Sequence, residues 1–205
     1  LDVPKVWGDY TATLMLQVRS ACYVWLNGEY VGYSQGANNV AEFDITPYLK
    51  KGNNRLAVQV MRWCDGSYLE CQDMFRMSGI FRDVYIYNVP KVSVRDHYAK
   101  VTFDNDYNKA NIDLQLTIEG NGNFKKNQIH AILVEAEGNE VAKTQFINLD
   151  KIPSENLVVN RTLNVDNPKL WSDEIPYLYT LKVVQKNKKG KAEMAFSSKL
   201  GLREV

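Results

Sequence analysis

An all-β chain is expected from three features of the sequence. Short segments of alternating side chains dominate, no helical periodicity runs long enough to carry a domain, and turn residues separate the segments at short intervals. In the first part, Thr11 to Val18, Ala21 to Leu26, Glu29 to Ser34, Asn54 to Trp63 and Phe81 to Tyr87 read as strands. Asn27-Gly28 between two of them signals a type I′ turn, because both central residues of that turn take positive φ. Asp44 to Leu49, with Thr46-Pro47, suits one short helical turn. A boundary is expected near Asn88 to Lys91, since Pro90 cannot donate to a central ladder, giving domains 1–89 and 90–205.

The second domain offers seven strand-like segments: Val92 to Phe103, Asn111 to Glu119, Gln128 to Glu135, Val141 to Phe146, Val158 to Val165, Tyr177 to Gln185 and Ala192 to Ser198. Gly120 to Asn123 and Gly138-Asn139 mark turns between them. About seven short strands in roughly 110 residues predict an immunoglobulin-like sandwich. The Cys…Trp…Cys spacing of antibody domains is missing, so the expected likeness is architectural.

Composition narrows the function classes. The formal net charge is +1, which gives no electrostatic case for nucleic acid. Lys186, Lys188, Lys189 and Lys191 do cluster, but around Asn187 and Gly190, as in a solvated hairpin turn. No apolar run reaches the roughly 20 residues a membrane helix needs, and no signal peptide is visible. Of the three cysteines, Cys22 sits in an apolar strand and should be buried. Cys64 and Cys71 share a loop. Without a Cys-x-x-Cys pair they read as free thiols rather than a disulfide framework or a zinc site. His97 and His130 have no ligand-like neighbours and receive no role.

The irregular stretch from Arg62 to Val84 carries the chemistry. It gathers Trp63, Asp65, Tyr68, Glu70, Gln72, Asp73, Phe75, Arg76, Phe81, Arg82 and Asp83 between strand-like segments. Aromatic faces cover the apolar C–H face of a pyranose, and carboxylates and amides bind its hydroxyls. Long structured loops in small domains are commonly functional. The same composition also suits a surface loop pinned by buried aromatics, and loop chemistry alone leaves both readings open.

The wording of the stretch goes further. Trp63-Cys64-Asp65-Gly66-Ser67-Tyr68-Leu69-Glu70, then Gln72-Asp73-Met74-Phe75-Arg76-Met77-Ser78-Gly79-Ile80-Phe81-Arg82-Asp83-Val84, closely resembles the β-galactosidases of glycoside hydrolase family 2. Trp25 to Ser34, Glu42 to Leu49 with Asn53 to Val58, and Asn167 to Ser172 with Ile175 to Tyr179 agree in the family's order, so the resemblance spans essentially the whole chain. It implies a truncated jelly-roll sandwich, the family's sugar-binding domain, followed by the immunoglobulin-like sandwich. It also implies that the catalytic (β/α) barrel with its two glutamates lies outside this sequence. The chain then reads as a fragment cut at both ends and inactive alone. Its parent would be a bacterial, cytoplasmic or periplasmic homo-oligomer acting on β-galactosides, with no nucleic-acid or membrane partner.

Residue roles follow from the same resemblance. Asp73 matches the aspartate that reaches into the active site to contact a galactose hydroxyl and a sodium ion. Sodium, and magnesium as a second candidate, belong to the parent, with no cofactor in the fragment. A carboxylate suits both tasks, as hydroxyl acceptor and as hard oxygen ligand. Asp65 and Glu70 match neither catalytic glutamate and should brace the loop through backbone N–H groups. Arg62, Arg76 and Arg82 should pair with Asp65, Glu70, Asp73 and Asp83, in preference to clamping substrate. Trp25 and Trp63 are expected in the core, and Trp171 as a packing anchor. The rival functions are a free-standing carbohydrate-binding module and a structural or assembly module.

Overall fold

The computed structural model describes residues 2–3, 10–36, 39–69, 73, 75, 77–120, 127–149 and 157–204. Contacts divide the chain into two compact units, Leu1–Val89 and Pro90–Val205. Both are built from antiparallel strands. The only helices among the described residues are a 3₁₀ turn at Thr46–Tyr48 and one α-helical turn at Gly66–Leu69.

The first unit contains β1 (Asp2–Val3), β2 (Tyr10–Gln17), β3 (Ala21–Leu26), β4 (Glu29–Gln35), β5 (Val40–Asp44), β6 (Gly52–Asn53), β7 (Leu56–Met61) and β8 (Tyr85–Pro90). Sheets ordered β5-β2-β8 and β4-β3-β7 supply the layers, and β1 pairs with β6. Alternation decides which side chains go in. Leu14 and Leu16 of β2 and Val24 and Leu26 of β3 are fully buried, packed with Ala12, Cys22, Phe43 and Ile45. Asn27 (φ 56°) and Gly28 (φ 87°) form the tight β3–β4 turn that their dipeptide predicts. The Asn27 amide then ties the turn to the rest of the unit. Its Nδ2 donates to Tyr48 O (2.9 Å) and Asn54 Oδ1 (2.8 Å), and its Oδ1 accepts from Arg55 N (3.0 Å). Gly32 is needed for closeness, since a Cβ there would lie 2.9 Å from the Phe43 ring.

Two expectations for this unit change. Val40–Asp44 is a strand, which its five residues with outward Glu42 and Asp44 gave little sign of. The segment expected from Phe81 begins pairing only at Tyr85. Upstream of it a single bridge joins Ile80 to Val18, and Arg19 N donates to Gly79 O (3.2 Å). The 79–84 segment is therefore pinned at one point, and the sheet resumes after it.

The second unit contains β9 (Val92–Phe103), β10 (Lys109–Gly120), β11 (Gln128–Val134), β12 (Glu140–Lys143), β13 (Ile147–Asn148), β14 (Leu157–Asp166), β15 (Tyr179–Lys186) and β16 (Ala192–Leu200). A β14-β10-β9 sheet and a β12-β11-β15-β16 sheet, with β13 also on β11, make an immunoglobulin-like sandwich. Its core interleaves Ile112, Leu114, Leu116 and Leu163 of the first sheet with Ile129, Leu133, Leu181 and Val183 of the second. The single strand expected from Val141 to Phe146 is two. Thr144 lies between them, exchanging bonds with Ala131: its N donates to Ala131 O (2.9 Å) and its Oγ1 accepts from Ala131 N (2.9 Å). The lysine-flanked turn closes through Asn187, whose Oδ1 accepts from Lys189 N (2.9 Å) and Lys191 N (3.2 Å).

Trp171 acts as the expected anchor. Its N donates to Leu202 O (2.9 Å), its ring closely faces Gly201, and the Arg203 guanidinium lies 4.5 Å from the ring centroid. Nearby, Lys169 contacts Glu135 (3.3 Å) and Glu137 (3.7 Å), and its ammonium is pushed up to about 12, first by its bond to the Tyr177 hydroxyl. No helix among the described residues is long and apolar enough to cross a membrane.

Candidate functional site

The loop between β7 and β8 begins with a built turn. Cys64 N donates to Ser67 Oγ (3.0 Å), Ser67 N returns to Cys64 O (3.0 Å), and Tyr68 N donates to Asp65 O (3.2 Å). This side-chain-to-backbone pattern starts the single helical turn Gly66–Leu69. Ser67 therefore supplies the bracing expected of the Asp65 carboxylate, while Asp65 contributes its carbonyl. The serine of -Asp-Gly-Ser- was the available signal, because serine hydroxyls bond nearby backbone groups, here reaching back three residues to Cys64 N. Glu70, Cys71, Gln72, Met74 and Arg76 lie outside the described residues. Cys22 and Cys64 are free thiols, and burial pushes the Cys22 thiol up.

The turn displays its aromatic residues instead of burying them. Trp63 and Tyr68 stack with ring centroids 6.4 Å apart and planes 27° off parallel. Trp63 is 46% exposed and Tyr68 71% exposed, so Trp63 is not a core residue. Trp25 is also outside the core. It points away from buried Val24 and Leu26, within 5.8 Å of Tyr23 and 6.1 Å of Tyr30 by ring centroids. Tyr33 lies 4.8 Å from Tyr23 and completes a four-ring patch on the outer face of the β3–β4 hairpin. The physical reason is alternation: Tyr23 and Trp25 share one side of β3, opposite the core side. This patch was missed in the sequence, although the period-2 spacing of Tyr23 and Trp25 could have revealed it. It adjoins the loop, for the Tyr33 phenol is raised first by lost hydration and then by neighbouring Cys64, Tyr23 and Asp65.

Asp73 is exposed and adopts φ 57°, the left-handed region. Among non-glycine residues Asp and Asn enter that region most readily, because a short polar side chain tolerates it. The loop continues through Phe75, 91% exposed, and Met77, 68% exposed, with Met77 N donating to Phe75 O (3.0 Å). One carboxylate alone does not make a sodium site, and among the described residues no group of three or more His, Cys, Asp or Glu side chains gathers.

The expected arginine–carboxylate pairing takes another form where it can be followed. Arg62 lies 5.6 Å from the Trp63 ring centroid and Arg82 5.8 Å from that of Phe81. Among the described residues neither forms an ion pair with Asp65, Asp73 or Asp83. A planar guanidinium on an aromatic face keeps its remaining N–H groups hydrated, which favours ring contacts on an exposed loop.

Both units are antiparallel β-sandwiches, and the first carries an exposed loop with stacked rings and a displayed carboxylate. Residues 1–90 match the family described as "Glycosyl hydrolases family 2, sugar binding domain", and residues 92–203 match "Glycosyl hydrolases family 2". The chain belongs to glycoside hydrolase family 2. Among its relatives is a β-galactosidase of Priestia megaterium, 39% identical over 200 residues that cover 96% of this chain and 19% of that protein. A β-galactosidase of Yersinia enterocolitica is 40% identical over 215 residues, covering 100% of this chain and 20% of that protein. The chain thus spans about a fifth of the length of these curated relatives. A solved β-glucuronidase of Bacteroides uniformis superposes with a TM-score of 0.86 at 20% identity, covering 100% of this chain and 26% of that one. A family 2 member from Bacteroides cellulosilyticus gives 0.84 at 20% identity, over 99% and 28%. At that identity the structural likeness speaks for the fold.

Proposed function

We propose that this chain forms the non-catalytic sandwiches of a retaining β-galactosidase. The first unit would complete a galactose pocket with Asp73, and the second would act as a spacer to a catalytic domain. The observation that carries the reading is the displayed Asp73 carboxylate on a loop rich in exposed aromatics, in a chain 39% identical to a β-galactosidase over 96% of its length. Retaining glycoside hydrolysis needs an acid and a nucleophile about 5–5.5 Å apart. Asp65 and Glu70 are not assigned those roles, so the carboxylate pair is expected elsewhere in a longer protein. If Asp73 holds sodium there, other oxygen ligands, such as backbone carbonyls or water, must complete the site.

The test has two parts. This chain alone should not hydrolyse a chromogenic β-galactoside, and turnover abolished by Asp65→Asn or Glu70→Gln would sink the division of labour. Calorimetry should find galactose binding in about the millimolar range or weaker, because one exposed loop buries little of a monosaccharide. Micromolar binding would favour the rival reading, a free-standing carbohydrate-binding module. The longer protein should prefer a chromogenic β-galactoside over the matching β-glucuronide, and the reverse preference would overturn the galactosidase assignment.

A further inference from the structure

His130 sits in the second unit where a histidine is costly to charge. Alternation turns Ile129, Ala131 and Leu133 of β11 into the core, so His130 projects from the outer face of its sheet. It is nevertheless buried, and its Nδ1 is enclosed with no hydrogen-bond partner among the described residues. The cover is the link between β12 and β13. Phe146 in that link packs edge-on against the imidazole, with centroids 4.7 Å apart, and the Lys186 ammonium lies 5.5 Å from the Phe146 centroid. Thr144 ties the link to β11 through its two bonds with Ala131, and beyond Phe146 the pairing of Ile147 with Ile129 ties it again.

We propose that the link is an acid-released latch: neutral His130 holds it closed, and protonated His130 displaces Phe146 and loosens residues 144–146 from β11. A neutral imidazole carries one N–H, so the enclosed Nδ1 can remain a bare ring nitrogen. The imidazolium carries a donor on both nitrogens, and a donor at Nδ1 would face the Phe146 ring with nothing to accept it. The charged groups around the ring add to this. Lys186 on β15 and Lys143 on β12 oppose a further cation, and Glu140 on β12 favours it less strongly. Burial first, then these cations, hold the closed imidazole below its ordinary 6.5. An open link returns the ring to water, where the ordinary value applies. The open form therefore takes up the proton first, and the closed form loses ground as pH falls from about 6.5 toward the depressed closed value. Only the link has to move, because the core side of β11 stays packed, and local openings of this kind lie below global unfolding in cost. The latch belongs to the second unit and stands or falls separately from the galactosidase reading.

The test is amide hydrogen exchange of this chain at about pH 7.5 and about pH 5, corrected for the pH dependence of intrinsic exchange. Ala131 N and Thr144 N report the latch directly, since both bond across it. Their protection should fall by at least about tenfold in acid, while the amides of Leu114 and Leu116 in β10 keep theirs. His130→Gln cannot take up the proton and should abolish the step. His97→Gln should leave it intact, because His97 lies on β9 and bonds Ser198 Oγ (2.9 Å). If His130→Gln fails to fold, Phe146→Ala decides in its place. With the cover trimmed, water reaches Nδ1, the His130 imidazole should titrate nearer 6.5, and the step at Ala131 and Thr144 should shrink. Unchanged protection at those two amides, an equal loss across β9 and β10, a step that persists in His130→Gln, or a native step in Phe146→Ala would each overturn the latch.

Discussion

The two units use the same antiparallel grammar and treat their aromatic side chains differently. In the second, alternation sends apolar residues into one continuous core between two sheets, Tyr179 is 3% exposed within it, and the exposed rings Tyr98, Tyr107 and Phe146 are spread out, Tyr107 meeting Phe103 and Phe146 meeting His130. In the first, the core holds Phe43 as its one buried ring among the described residues, and Tyr23, Tyr30, Tyr33, Trp63 and Tyr68 are between 36% and 71% exposed. Clustered exposed aromatic surface is a common feature of binding sites. The rings of the first unit cluster on one surface and those of the second are dispersed, and under the proposed function the first unit is the recognition surface and the second the scaffold. Substitutions should separate the two: large stability effects in the second unit, small ones at the display surface of the first.

The largest effect is expected at Gly120. It adopts φ 141°, and a Cβ there would overlap the Lys91 carbonyl and crowd Val92, both backbone at the start of β9. Neither can swing aside. Gly120→Ala should cost about 2–5 kcal/mol. Chemical denaturation followed by hydrogen exchange should show the loss in the second unit. A cost under about 0.5 kcal/mol would mean that this end of the sandwich adjusts freely, and the scaffold contrast would weaken.

Next is a pH effect confined to the same unit. His130 is 2% exposed, packs edge-on against Phe146 at 4.7 Å, and its Nδ1 has no partner among the described residues. Burial lowers its pKa from 6.5, and Lys186 and Lys143 lower it further against a small opposing influence of Glu140. The unfolded chain therefore takes up the proton first as pH falls. Stability contributed by neutral His130 is complete above about pH 6.5 and declines as pH drops from there toward the depressed folded value. Melting temperature should fall across that window in the native chain and fall less steeply in His130→Gln. Parallel slopes would show that other groups dominate acid sensitivity.

How much of this was legible depends on what each residue contacts. The strands, the Asn27-Gly28 turn and the lysine-flanked hairpin were readable because alternation and turn chemistry are local. Val40–Asp44 was missed because its pairing partner β2 is distant in sequence and its outward positions are charged. Trp25 and Trp63 were misplaced for a different reason. Aromatic residues on strands are usually buried, and that expectation fails here because Trp25 falls on the outer side of β3 with Tyr23, and Trp63 stacks on Tyr68 in an exposed turn. The Asn27–Asn54–Tyr48 network was invisible, since single amides give no periodic signal.

Smaller still should be the effect of removing a displayed ring. Tyr68 touches Trp63 and is otherwise open to solvent. Tyr68→Ala should change stability by about 0.5 kcal/mol or less while weakening any saccharide binding to the chain. A loss above about 2 kcal/mol would identify Tyr68 as a loop anchor and remove it from the recognition surface.

The smallest stability change, with the sharpest functional consequence, is expected at Asp73. Its left-handed backbone at φ 57° suits Asn nearly as well as Asp, and the carboxylate is exposed. Asp73→Asn should therefore leave the unfolding free energy within about 0.5 kcal/mol of the native chain. Asp73→Ala should cost about 1 kcal/mol, because a Cβ without a polar group tolerates that conformation less well. The two substitutions separate backbone fitness from charge. In the longer protein, Asn keeps shape and some hydrogen bonding but loses the charge-assisted contact, worth about 1.5–3 kcal/mol. Galactoside turnover and sodium activation should then fall together in Asp73→Asn, with stability preserved. A variant that loses only stability would make Asp73 a brace of the loop. A variant with unchanged turnover and unchanged stability would make its displayed carboxylate incidental, and the contrast between a scaffolding unit and a recognising unit would then rest on the aromatic surface alone.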